Sequence, residues 1–189
     1  REYSICIPGK KELYSTFGII EQESMFSMDI IYSAGEIADR IAQLGREITE
    51  FYRGEELTVV ALMNGALPFA ADLIRAIGLD CYVDTVSVAS YRNCRSTGQP
   101  EFRSTLKIPP AGRHILLADE VLDSGVTLQC VAEYFRRRGA ASVRTAVMVE
   151  KELPRPNGIA HADWIGFTAP DRYLVGYGLD ADERYRNLP

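Results

Sequence analysis

Apolar positions fall into two patterns that take turns along the chain. Between Ser33 and Gly54, Ile37, Ile41, Leu44, Ile48 and Phe51 recur three or four residues apart. That spacing gathers them on one face of an amphipathic helix, with Ser33 as its cap and Gly54 as its stop. The next run, LTVVALM (57–63), is continuously apolar, short and rich in β-branched residues. Such a run predicts a strand covered on both faces, as in a parallel sheet. Residues 67–78 read as a short helix, 82–91 as a second strand and 114–119 as a third. Residues 127–139 form a helical pattern with Leu128, Val131, Ala132 and Phe135 on its apolar face, and 142–150 form a fourth strand. Short strands are expected at 162–170 and 173–178. Residues 1–33 carry no clear period, and 92–105 read as a long polar loop of the kind that often serves as a lid.

Strands alternating with helices predict an α/β fold around a parallel sheet. Ligands of such sheets sit beyond the carboxyl ends of the strands. Residues 63–66, 89–98, 119–127 and 150–155 are therefore where chemistry is expected.

Composition narrows the function. The chain has 189 residues, 47% of them hydrophobic and 25% charged, with a net charge of −5. It is long enough for one substantial core, and its acidity argues against nucleic acid or a membrane surface as partner. No apolar run is long enough for a transmembrane helix, and the first residues lack the apolar core of a signal peptide. Cys6, Cys81, Cys94 and Cys130 are scattered without metal-ligand spacing. They read as reduced thiols of a cytoplasmic protein.

The densest chemistry is in HILLADEVLDSGVT (114–127). Asp119, Glu120 and Asp123 follow a strand that looks buried, where an unpartnered carboxylate is costly. A polar cleft is the setting they require. Ser124, Gly125, Val126 and Thr127 then make a strand-to-helix turn. Its free amides and helix dipole suit an anion, with phosphate the common occupant. Taken alone, the same residues could simply cap the helix.

This segment resembles the phosphoribosyl-diphosphate signature of type I phosphoribosyltransferases, and further stretches resemble their hypoxanthine-guanine branch. ALMNGALPFAADLIR is similar to the pyrophosphate loop and its helix, SVASYRNCRSTG to the mobile loop, and DWIGFTAPDRYLVGYGLDADERYRNLP to the purine-binding tail. The resemblance implies one domain over residues 1–189. Its sheet core would span 34–155, flanked by helices, with a small hood from the N- and C-terminal segments, 156–189 forming the purine-binding part. It implies a Mg²⁺-dependent enzyme that joins N9 of a 6-oxopurine to phosphoribosyl diphosphate, as a homodimer or homotetramer.

The resemblance also implies roles. Asp119 and Glu120 would hold the ribose hydroxyls and metal, although relatives usually have the order Glu-Asp. Asp123 would serve purine N7 as base or acceptor. Ser124, Gly125, Val126 and Thr127 would cradle the 5-phosphate. Asn64, Gly65 and Arg155 would meet pyrophosphate. Lys151 would donate to the 6-oxo group, Trp164 would stack on the base, Ile165 would offer backbone groups and Asp171 would ligate Mg²⁺. Ser90 and Tyr91 would lie on the lid. Competing readings are a nucleotide-sensing or inactive relative, a phosphoacceptor signalling domain and a dinucleotide-binding domain. The last lacks any GxGxxG.

Overall fold

The computed structural model describes residues 4–7, 29–88 and 106–189. The expected lid residues Ser90 and Tyr91, and the loop 92–105, lie outside the described residues.

Helix α1, Ala34–Phe51, forms where the apolar period placed it. Ser33 caps it: its hydroxyl accepts from the Glu36 amide at 3.3 Å, while the Glu36 carboxylate accepts from the Ser33 amide at 2.7 Å. These reciprocal bonds satisfy donors the first turn would otherwise leave free; the Ser33 hydroxyl, donating to the Glu36 carboxylate at 2.6 Å, and then the Ser33 amide hold that carboxyl below its usual range. Gly54, just past the helix, has a φ of 85°, the left-handed conformation that glycine adopts without strain.

Five strands make the main sheet: β3 (Leu57–Met63), β4 (Cys81–Ser87), β5 (His114–Leu122), β6 (Ser142–Lys151) and β7 (Trp164–Ala169). All pairs are parallel, in the order β4-β3-β5-β6-β7. Side chains of one strand alternate between two cores. Leu116 and Ala118 face α1 and helix α2 (Leu67–Ala76), whereas Ile115 and Leu117 face helix α3 (Val126–Arg137). The chain steps from β3 to one side, then returns past β3 to β5. Strand order therefore reverses between β3 and β5, where a crevice opens at the carboxyl edge.

A smaller antiparallel pair, β1 (Ser4–Ile7) and β2 (Asp29–Ser33), stands beside the main sheet. Tyr32 of β2 stacks on Phe167 of β7 with ring centroids 4.0 Å apart, and its hydroxyl donates to the Thr168 carbonyl.

The structure departs from the sequence expectation at two strands. β5 runs three residues beyond Asp119, so the acidic pair lies within a strand. Residues 173–178 form no strand: Gly176, Tyr177 and Gly178 have φ values of 95°, 47° and 98°. Positive φ ends pairing, yet Leu174, Tyr177 and Leu179 are buried with α2. The apolar run reflects packing of a tight turn rather than a strand.

That turn locks the tail onto the end of β3. The Tyr177 hydroxyl donates to Asp72 at 2.7 Å. A Cβ on Gly178 would stand 1.9 Å from the Gly65 carbonyl oxygen. Gly178→Ala therefore combines a clash with an unfavourable φ and is expected to destabilise the fold by about 2–4 kcal/mol. Chemical denaturation of the variant checks this.

Candidate active site

The β3–β5 crevice is a cleft of about 320 Å³. One wall is the loop after β3, where the Met63–Asn64 peptide is cis. The opposite wall is the end of β5 and the turn into α3. Asn64, Gly65, Asp119, Glu120, Asp123, Ser124, Gly125 and Thr127 all line the cleft. The structure thus brings eight residues singled out from the sequence to one place.

Close backbone approach sets the carboxylates. A Cβ on Gly65 would stand 2.0 Å from Glu120 Oε1, so only glycine leaves that carboxylate its place against the loop. The Glu120 amide donates to Asp119 Oδ1 at 3.0 Å. Burial, then the neighbouring Glu120 charge, push the Asp119 carboxyl well above its usual range. Two crowded acids with few protein partners suit a cation or sugar hydroxyls.

Across the turn, α3 begins at Gly125 with φ 72° and carries no side-chain cap hydrogen bond. The first amides of the helix are therefore left for an anion, and capping by Asp123 or Ser124 is not what the turn does. The Val126 side chain is buried, which leaves only its backbone to face an anion.

At the outer end of the cleft, Lys151 closes β6. Its Nζ lies 3.1 Å from Asp123 Oδ2 and 3.6 Å from Asp171 Oδ1. An ammonium donor and a carboxylate acceptor side by side can bind the edge of a base presenting an oxygen and a nitrogen.

A phosphoribosyl transferase domain model matches residues 27–182. The chain is 39% identical over 161 residues to a hypoxanthine-guanine phosphoribosyltransferase of Bacillus subtilis, covering 85% of this chain and 89% of that one. It is 30% identical over 160 residues to a hypoxanthine-guanine-xanthine phosphoribosyltransferase of Tritrichomonas foetus, covering 85% and 87%. The crystal structure of a Bacillus anthracis hypoxanthine-guanine phosphoribosyltransferase superposes with a TM-score of 0.79 at 31% identity, over 85% of this chain and 95% of that one. The chain belongs to the phosphoribosyltransferase family.

Within this phosphoribosyltransferase, four sequence-based assignments meet a different geometry. Trp164 opens β7 opposite Ala146, five residues before Lys151, which is about 16 Å along a strand. There it packs edge-on against Phe51, centroids 5.2 Å apart, away from the carboxyl edge where a base would sit. Ile165 shares that end, and its carbonyl accepts from Arg40 at 2.6 Å. The Arg155 side chain is 3% exposed; it is tied to backbone carbonyls of Leu122, Asp123, Lys151 and Ala160 and does not line the cleft. Asp171, 68% exposed, stands beside Lys151 rather than with the acidic pair. Among the described residues, no group of three or more His, Cys, Asp or Glu side chains could hold a metal.

Two residues that the sequence reading passed over take up positions of interest. Arg186 lines the cleft. Its Nη1 donates to the Gly178 carbonyl at 2.7 Å, Nη2 is 2.9 Å from Asp180, and its buried Nε has no hydrogen-bond partner. A buried donor left unsatisfied is costly, which suits a ligand oxygen. Tyr173, two residues past Asp171, is 46% exposed although large and aromatic, and its hydroxyl donates to the Asp180 carbonyl at 3.0 Å. Neither residue had a local signal; both depend on how the tail folds back.

The raised Asp119 pKa has a consequence for stability. The folded protein keeps this proton at pH values where the unfolded chain has released it. Stability from this site is therefore lost as pH rises from the ordinary carboxylate range through the raised value. Asp119→Asn is expected to raise the melting temperature of the ligand-free protein at neutral pH by about 2–4 °C, corresponding to roughly 1 kcal/mol. Thermal melts from pH 5 to 8 should show the gap between variant and parent widening.

Proposed function

We propose that this chain is a purine salvage enzyme that transfers 5-phosphoribosyl from phosphoribosyl diphosphate to N9 of hypoxanthine or guanine, giving the nucleoside monophosphate and pyrophosphate. The observation that carries this reading is Lys151 Nζ 3.1 Å from Asp123, directly beside an uncapped helix turn. Base-edge chemistry and a phosphate cradle share one cleft.

The amides of Ser124 to Thr127, with the Ser124 and Thr127 hydroxyls, take the 5-phosphate. Asp119 and Glu120 hold the ribose hydroxyls. Asn64, Gly65 and Arg186 face the diphosphate. Lys151 donates to the 6-oxo oxygen, and Asp123 accepts from or deprotonates N7. Tyr173, rather than Trp164, covers the face of the base, a contact worth about 1–3 kcal/mol. Carboxylate charge beside C1 also stabilises the positive charge that develops there as the diphosphate leaves.

Mg²⁺ fits this donor set. It binds through one or two carboxylates together with substrate phosphates and water, so Asp119 and Glu120 suffice without a third protein ligand. Bound there, it neutralises and orients the leaving diphosphate. Asp171 is left to tune Lys151. We place the enzyme in the cytoplasm as a single-domain subunit of a homodimer or homotetramer.

The test is direct. The protein is incubated with Mg²⁺, phosphoribosyl diphosphate and each of hypoxanthine, guanine, xanthine and adenine. Nucleotide should form with hypoxanthine or guanine and not with adenine; no product with any base sinks the reading. Lys151→Met should lower kcat/KM for the 6-oxopurine roughly 100-fold or more, since the base oxygen loses its donor. Tyr173→Ala should raise the purine KM about 10-fold through lost stacking. Trp164→Phe should leave that constant within about 2-fold, as expected of a residue remote from the base.

A further inference from the structure

The connection from β6 to β7 carries a second cation whose surroundings differ from those of Lys151. Four hydrogen bonds tie the Arg155 guanidinium to backbone carbonyls. Nε donates to the Asp123 carbonyl at 2.6 Å and Nη1 to the Ala160 carbonyl at 2.9 Å. Nη2 donates to the Leu122 carbonyl at 2.9 Å and to the Lys151 carbonyl. The second proton of Nη1 faces the Glu150 carboxylate at 3.6 Å. Glu150 is itself buried and accepts from the Ala162 amide at 3.1 Å, with His161 Nδ1 at 2.6 Å.

We propose that Arg155 is a positioning residue that fixes Asp123 and Lys151 relative to each other and thereby governs purine binding, without touching either substrate. It rests on the assignment of those two residues to the purine. A planar fork with five donors can tie the end of β5, the end of β6 and the following loop at once. The backbone of both functional residues hangs on the same group. A small displacement of either would separate an oxo donor from a nitrogen acceptor that must act on one base.

The phosphate cradle is held separately. Ile159 donates its amide to the Gly125 carbonyl at 3.2 Å. A Cβ on Gly158 would stand 2.2 Å from the Ser124 carbonyl oxygen. Backbone packing, not the guanidinium, sets residues 124–127. Loss of Arg155 should thus be felt at the purine and not at phosphoribosyl diphosphate.

Two variants test this. Arg155→Lys keeps the charge but cannot make the fork. The double variant Arg155→Met/Glu150→Gln removes the guanidinium without stranding a buried carboxylate. In both, kcat/KM for the purine should fall about 100-fold, as expected for a misplacement near 1 Å. The dissociation constant for phosphoribosyl diphosphate, measured by calorimetry, should stay within about 3-fold. In a ligand-free crystal structure of the double variant, the 3.1 Å contact between Lys151 and Asp123 should open. That structural readout does not need the enzymatic reading to be right. An unchanged purine kcat/KM with that contact intact overturns the proposal. So does a loss of phosphoribosyl-diphosphate binding, which would return Arg155 to a direct pyrophosphate role.

Discussion

Strand order reverses between β3 and β5, and the cleft depends on that reversal. At this junction successive connections diverge, one toward α2 and one toward α3. The gap exposes backbone amides on both sides and lets a polar ligand sit above an otherwise apolar sheet. Placing Asp119 and Glu120 anywhere else along β5 would bury them between helices without partners. The reversal opens them to a ligand that can take up their charge.

Glycine contacts then fix how wide the gap can be. Gly65 yields space to the Glu120 carboxylate, Gly178 presses on Gly65, and Gly158 presses on Ser124 and Gly125. At Gly178 and Gly158 the facing atoms are backbone, so even one methyl group would push two walls apart; at Gly65 it would displace the Glu120 carboxylate. The Gly65 and Gly178 contacts link the tail to the β3 side of the cleft. The Gly158 contact links the β6–β7 connection to the turn after β5. The cleft is thus shaped from outside its own walls, by segments that are distant in sequence. Arg186 follows from the same arrangement, because the tail that rests on Gly65 also delivers a guanidinium to the cleft.

What could be read from the sequence divides along that line. α1, β3, β5 and β6 were legible because period and β-branching are local. The turn from Asp119 to Thr127 was legible because its chemistry is contiguous. Lys151 was singled out only through the family resemblance, since a lysine at a strand end carries no signal of its own. Trp164 and Ile165 were not, because their distance from the cleft is set by the register of β7 on β6. That register pairs Trp164 with Ala146, and nothing within residues 162–170 encodes it. Arg155 was matched by resemblance to a pyrophosphate contact, and a sequence cannot say that four carbonyls converge on it. Residues 173–178 mimicked a strand because burial, not extension, selected their apolar side chains.

Lys151 and Arg155 show how one short connection can hold two cations in different settings. Lys151 pairs with carboxylates that are largely solvated, Asp123 being 56% exposed. Pairs of that kind are worth about 0–1 kcal/mol, so a base oxygen can take the ammonium at little cost. Arg155 makes several bonds to backbone and faces a buried Glu150; removing one partner of such an arrangement costs about 3–5 kcal/mol. A ligand could not redirect it by contacts of ordinary strength. The same charge is therefore available at one position and fixed at the other. The difference lies in burial and in the number of acceptors.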